Sequence, residues 1–291
     1  MSGDATTEIE SDALRVTVSD RGAEMQRLQT RDGRDWLWHG DGAWWTGRAP
    51  ILFPIIGQAP DDRIGMDGQT FPIEKHGIAR RRLFRRIAAT TDSVTHELTD
   101  SAETRTAFPR AFRLRLTHRV EGATLTCRAE VHNSDDRPSC FSIGFHPAFL
   151  WPLPGAEGRA HHVTLDNAAE PALARLKDGL VRADRLPSPF TRGHLTLDPA
   201  LFEEDAMIFP EGVGDGLTFA ADGGPALRFA FENTPQLGIW QKPGAPFLCI
   251  EPWHGMAARQ GDGPEMEKRP GAITLPAGAD MAIAYSVTVA A

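Results

Sequence analysis

Two consecutive runs of alternating side chains constrain this chain more than any other feature. Phe112, Leu114, Leu116 and Val120 alternate with Arg113, Arg115, Thr117 and Arg119. Leu125, Cys127, Ala129 and Val131 then alternate with Thr124, Thr126, Arg128 and Glu130. A period of two puts every second side chain on one face, so each run reads as a strand with a buried and a wet side. Glu121-Gly122-Ala123 between them reads as a hairpin turn, which makes the two runs antiparallel neighbours.

The same period recurs at Leu14-Val16-Val18 and at Ile283-Tyr285-Val287-Val289, so strands are expected near both ends of the chain. A sustained helical stripe is rare. Residues 170–181 are the best helical candidate, held short by Pro171 and Gly179. With 28 Gly and 22 Pro to supply turns, the expected architecture is all-β with few short helices. The Pro- and Gly-rich stretch 152–158 separates segments of like composition and reads as a loop, not a linker. No fixed repeat is visible. A single domain over residues 1–291 is expected, with the polar, acidic stretch 1–12 flexible.

Charge narrows the partners. Thirty-one basic against 39 acidic residues leave a formal charge of −8, which opposes attraction to nucleic acid and to anionic lipid. Arg80, Arg81, Arg82, Arg85 and Arg86 form a local basic cluster, but Leu83 and Phe84 within it suggest packing plus a solvated face. Cys127, Cys140 and Cys249 have no metal-ligand spacing and cannot all pair, so free thiols in a reducing compartment, the cytoplasm, are expected. Residues 1–12 lack the basic start and apolar core of a signal peptide, and no apolar run is long enough to span a bilayer.

Several residues carry the chemistry that proton transfer needs. Phe247-Leu248-Cys249-Ile250 reads as a strand buried on both faces, followed at once by Glu251-Pro252-Trp253. Pro252 is expected to end the ladder, projecting the Glu251 carboxylate from a sheet end into a cleft; a rim salt bridge is the plainer alternative. His146, in Ile143-Gly144-Phe145-His146-Pro147-Ala148-Phe149, is a natural proton donor near neutral pH, set against a hydrogen-bonded core histidine. His76 follows a turn-rich segment, where functional groups often lie. Arg48 offers a bidentate guanidinium for a hydroxyl or an anion, or a simple surface charge. Asp205 is the acid nearest the apolar run Ala206-Met207-Ile208-Phe209, hence nearest a cleft mouth, or else a cap. Trp240 and Trp253 are near the acidic motif but are not assigned to stacking. Metal ligation ranks below proton transfer: His161 and His162, as adjacent strand residues, point to opposite faces, and Glu251 with His254 is the other pair considered. No phosphate-cradling glycine loop, nucleophile elbow or dinucleotide fingerprint is present.

Taken in order, Arg48-Ala49-Pro50-Ile51-Leu52-Phe53-Pro54-Ile55-Ile56-Gly57, His76-Gly77-Ile78-Ala79-Arg80, Gly144-Phe145-His146-Pro147-Ala148-Phe149 and Cys249-Ile250-Glu251-Pro252-Trp253-His254-Gly255 resemble the aldose 1-epimerase (galactose mutarotase) family. The likeness is to its bacterial branch with His-Pro-Ala-Phe and Ile-Glu-Pro-Trp motifs, and it runs from about residue 14 to 289. The resemblance implies a large antiparallel β-sandwich with an open sugar cleft. It implies His146 as general acid, Glu251 as general base, and Arg48, His76 and Asp205 as groups that hold sugar hydroxyls. It also implies ring opening and reclosure of a hexose between its anomers with no cofactor and no metal, in a monomer or homodimer.

One departure matters: the Asn-His and Phe-Asn-Leu surroundings of the galactose-specific branch are replaced here by Gly-Phe-His-Pro-Ala-Phe. Galactose preference is therefore unsupported. Relatives acting on hexose 6-phosphates resemble this chain in carrying arginines at positions like Arg48 and Arg80, which keeps a sugar phosphate or another anionic hexose as the alternative substrate. A non-catalytic carbohydrate-binding protein is the alternative of another class.

Overall fold

The computed structural model of the chain describes residues 4–290. The two alternating runs are the strands Phe112–Glu121 and Thr124–Asn133, antiparallel with Glu121 opposite Thr124. Gly122 sits in the two-residue loop with φ 53, a left-handed backbone that glycine adopts without steric cost. Their apolar members are buried, as the alternation requires.

Among the described residues this hairpin lies within a nine-stranded sheet. Its order is His194–Thr196, His161–Leu165, Gly216–Ala221, Ala226–Glu232, Asp280–Ala290, Thr124–Asn133, Phe112–Glu121, Ser93–Thr99 and Arg85–Ala89. A second sheet runs Met207–Phe209, Gln236–Trp240, Phe247–His254, Ile143–Phe145 and Ile51–Leu52, with Ala148–Leu150 also paired to Phe247–His254. All these pairings are antiparallel. The two sheets share a core in which Phe145 meets Tyr285 at 4.9 Å, Phe149 meets Phe229 at 5.1 Å and Phe53 meets Phe112 at 5.1 Å.

The strand Phe247–His254 is buried on both faces, and its alternation decides where the cleft lies. Leu248 and Ile250 enter the core between the sheets, whereas Phe247, Cys249, Glu251 and Trp253 occupy the opposite face. Glu251 therefore stands mid-strand on a sheet face, not at a sheet end. The ladder continues past Pro252, which pairs with Leu237. The Ile250 amide donates to the Pro147 carbonyl, so the N–H that Pro252 lacks would face the break between Phe145 and Ala148.

Two further expectations are corrected. Thr6–Glu10, within the stretch expected to be flexible, is a strand antiparallel to Leu14–Ser19 with Ile9 fully buried; residues 1–3 lie outside the described residues. Thr6, Glu8 and Glu10 form its outer side, and Thr7 shares the inner face with Ile9. Residues 170–181 form no helix; Leu176–Lys177 pairs with Leu180–Val181 around Asp178 (φ 54) and Gly179 (φ 77). Two successive positive φ values are what a two-residue Asp-Gly hairpin turn demands. The α-helix among the described residues is the single turn Ala102–Arg105, capped by Ser101, and no helix among them is long and apolar enough to cross a membrane.

Candidate active site

The cleft sits on the face of the second sheet that looks away from the nine-stranded sheet. Its floor is Trp253. Gly144 lies opposite Trp253 on one neighbouring strand, and Gly238 lies on the other. A Cβ on Gly144 would stand 2.4 Å from the indole Cδ1, and one on Gly238 2.5 Å from Cη2. The indole thus lies flat across its two neighbours because neither presents a side chain.

His146 follows directly on the strand Ile143–Phe145, at the break that Pro147 introduces. Its amide donates to the Pro50 carbonyl at 3.1 Å, which fixes the backbone where the imidazole stands over Glu251. His146 Nε2 and Glu251 Oε2 are 3.3 Å apart, with the residues 7% and 2% exposed. Trp45 tilts against the imidazole at 4.9 Å, and Trp240 and His76 approach it edge-on at 5.7 Å and 5.5 Å. The cavity in front of the pair is about 270 Å³, and Lys75, His76, Arg80, Asp205 and the three tryptophans help to line it.

Burial dominates the electrostatics. It holds the His146 imidazole down to about 3, with the Lys75 ammonium as the next cause. It pushes the Glu251 carboxyl well above the usual carboxylate range, against Lys75 and with Asp205. His76 is held well below its ordinary value, again by burial first and by His146 second. The two shifts have one first cause: burial disfavours the charged form of each group, the imidazolium of His146 and the carboxylate of Glu251.

The expected residues are not all brought together. His146, Glu251, His76, Arg80 and Asp205 line the cavity. Arg48 does not; its guanidinium donates to the side chain and carbonyl of Gln26, at 2.5 Å and 3.2 Å, and its own amide donates to Glu24. His76 takes φ 68, and its Nδ1 accepts from the Gly57 amide at 3.2 Å, leaving Nε2 to carry the proton. Gly77 follows with φ 74, and a Cβ there would lie 2.3 Å from the Phe53 carbonyl oxygen, so glycine is required at this crossing. Arg80 donates to the Lys75 carbonyl at 3.0 Å, tying the two cations to one turn. Asp205 is exposed at the mouth with φ 66, its carbonyl gripped by buried Arg175 at 2.9 Å.

Lys75, Trp45 and Arg175 escaped sequence reasoning. Lys75 adjoins His76, and that adjacency was the available signal; nothing in the sequence marks the other two. The remaining candidates resolve simply. Arg81, Arg82 and Arg85 pair with Glu74, Glu103 and Glu97, so the basic cluster is a solvated face, with Phe84 buried and Leu83 60% exposed. His161 accepts from the Leu153 amide, His254 is bonded to the Asn233 carbonyl, and Cys127, Cys140 and Cys249 are free and buried. His146, Cys249 and Glu251 are the residues among those described whose ligating atoms cluster, within 4.8 Å of one another.

An imidazole–carboxylate pair set over a tryptophan floor, on the open face of a large antiparallel β fold, defines a protein of the mutarotase-like class. The aldose 1-epimerase family profile matches residues 6–178, more than half of the chain, and the chain belongs to that family. Protein LacX of Lactococcus lactis subsp. lactis, plasmid form, is 28% identical over 279 residues, covering 91% of this chain and 93% of that protein. The crystal structure of a galactose mutarotase related enzyme from Lactobacillus acidophilus superposes with a TM-score of 0.94 at 27% identity, covering 99% of this chain and 98% of that one. A galactose mutarotase-like protein from Lactobacillus casei gives 0.92 at 26% identity, covering 98% of this chain and 100% of that one.

Proposed function

We propose that this protein interconverts the α and β anomers of a hexose by opening and reclosing the ring, with His146 and Glu251 moving the protons. The observation that carries the reading is the 3.3 Å approach of His146 Nε2 to Glu251 Oε2 in a cavity floored by Trp253. In this reading the pair shares one proton, which can rest on the carboxyl or on the imidazole. Substrate hydroxyls entering the cavity favour the second arrangement, which presents an imidazolium acid and a carboxylate base together.

Glu251 then takes the proton of the anomeric hydroxyl while His146 protonates the ring oxygen. The bond from the anomeric carbon to the ring oxygen breaks, its electron pair staying on the oxygen, and a free aldehyde forms. Rotation about the adjacent carbon–carbon bond presents the other face. Reclosure returns both protons. Asp205 and His76 hold hydroxyls at the mouth, and Trp253 meets the apolar C–H face of the ring.

A second substrate reading has its own support. Lys75 and Arg80 both line the cavity, so an anionic hexose, phosphorylated or sulfonated, would find two cations at the mouth. Anomer exchange of freshly dissolved glucose, galactose and glucose 6-phosphate, followed by polarimetry or exchange NMR, tests both readings. Acceleration of a neutral sugar supports the first and selective acceleration of the phosphate the second. Calorimetric binding of a sugar with no acceleration over a broad panel would replace both with a carbohydrate-binding protein.

A further inference from the structure

Cys249 lies two residues before Glu251 on the same face of the strand Phe247–His254, and His146 stands over that face. An imidazole nitrogen, a thiol sulfur and a carboxylate oxygen from these residues lie within 4.8 Å of one another. Metal–sulfur bonds of about 2.3 Å and metal–nitrogen or metal–oxygen bonds of about 2.1 Å on a tetrahedral ion set neighbouring ligand atoms roughly 3.4–3.6 Å apart. The observed spacing exceeds this by little more than an ångström, within reach of side-chain rotation. The imidazole nitrogen that faces the carboxylate is Nε2, 3.3 Å from Glu251 Oε2, while Nδ1 is buried and has no hydrogen-bond partner among the described residues.

We propose that His146, Cys249 and Glu251 form an inhibitory site for a thiophilic divalent cation of the Zn²⁺ class. His146 and Glu251 line the cavity and Cys249 lies buried behind them, so three protein ligands would leave a fourth position toward the cavity, an arrangement zinc accepts when it retains water. The donor set decides the class of ion: one thiolate, one imidazole and one carboxylate suit zinc, whereas magnesium and calcium require oxygen donors. On binding, metal–sulfur, metal–nitrogen and metal–oxygen bonds form, and the thiol proton and the proton shared by His146 and Glu251 both leave to solvent. Thiolate and carboxylate together balance the charge of the dication, which must pass Lys75 and Arg80 as well as Asp205 at the mouth. Inhibition rests on the function proposed above, because two of the ligands are its proton-transfer residues; binding does not.

Calorimetric titration of the full chain, freed of metal by chelator, with Zn²⁺ alone and with Mg²⁺ alone tests the site. One saturable Zn²⁺ per chain and no Mg²⁺ response are expected, with Zn²⁺ affinity weakened more than roughly tenfold in Cys249→Ala and in the closer isostere Cys249→Ser. Titration with Co²⁺ should give a sulfur-to-metal charge-transfer band in the wild type that both variants lack, a readout independent of catalysis. Zn²⁺ should slow wild-type anomer exchange reversibly and spare the Cys249 variants, which keep His146 and Glu251. Absence of a saturable Zn²⁺ site, or unchanged Zn²⁺ binding in a folded Cys249 variant, overturns the proposal. Zn²⁺ bound at the trio in a protein that accelerates no anomer exchange would sink the proposed function and leave the metal site standing.

Discussion

Trp253 lies so close to Gly144 that a methyl group built on the glycine would stand 2.4 Å from the indole Cδ1. The floor of the cleft is therefore a packing device spread over three strands, with Gly238 making the same concession on the far side at 2.5 Å. Gly144→Ala or Gly238→Ala must lift or rotate the indole. Overpacking of this kind costs about 1–3 kcal/mol, so each variant should melt earlier. Its tryptophan fluorescence should shift, and kcat/KM for anomer exchange should fall. A variant with unchanged melting and activity would show that the floor is not set by these glycines.

The proton-transfer assignment makes the sharpest catalytic prediction. His146→Asn and Glu251→Gln each keep a polar group in the same space but remove one proton-transfer role. A positioned acid or base contributes about 10²–10⁴-fold, and each variant should lose a factor in that range in kcat. The double variant should lose little more than the worse single one, because the residues act as a unit. Near-normal rates in both single variants, measured by exchange NMR, would remove them from the mechanism.

Much of the fold could be read from the sequence because alternation is a direct record of burial. The hairpin at residues 112–131 shows its inner and outer faces without tertiary information. The failures have a common physical origin. At residues 170–181 a spacing suited to a short helix is overridden by Asp178-Gly179, whose turn geometry is local and decisive. Pro252 reads as the end of a ladder, yet it is harmless where the break at Pro147 leaves its missing N–H without a task. The site residues at strand motifs, His146 and Glu251, were visible in sequence, but Arg48 was misplaced because its partner, Gln26, is 22 residues away. Nothing local could show that contact. Trp45 reaches the cavity, and Arg175 stands behind it, from loops whose course depends on the whole fold.

Arg175 illustrates such a dependence. Buried beside the cleft, it donates to the Leu201 carbonyl at 2.7 Å and to the Asp205 carbonyl at 2.9 Å, clamping both ends of the loop that carries Asp205. It is a positioning residue and does not reach the cavity itself. Arg175→Met should free the loop and raise KM for the sugar several-fold with little change in kcat, the pattern of lost ground-state binding. Arg175→Lys, with a single point charge in place of a planar fork, should restore only part of the affinity. An unchanged KM in a folded Arg175→Met variant would show that Asp205 needs no clamp.

Lys75 and Arg80 divide the two substrate readings. If the sugar is anionic, Lys75→Met and Arg80→Met should raise KM for it by at least tenfold. That KM should also rise with ionic strength, since charges at an open mouth are screened with a length of about 8 Å at physiological salt. For a neutral hexose the same variants should change KM little and show no salt dependence. Steady-state kinetics at low and high salt on glucose and glucose 6-phosphate makes the comparison in one set of measurements.

Away from the cleft, His118 points into the core from the strand Phe112–Glu121, on the face it shares with Leu116 and Val120. Burial holds its imidazole down to about 3, with His96 as the lesser cause. In the unfolded chain the group regains a value near 6.5. Between these values the unfolded state binds the proton and the folded state does not. The contribution of His118 to stability is therefore complete above about pH 6.5 and declines as the pH falls toward 3, by about 1.4 kcal/mol per unit. His118→Leu removes this term while keeping an apolar side chain on the core face. Denaturant unfolding at pH 7 and pH 5 should show the variant losing about 2 kcal/mol less than the wild type over that interval. Equal losses would mean that His118 takes up its proton in the folded protein, and that this part of the core is wetter than its burial implies.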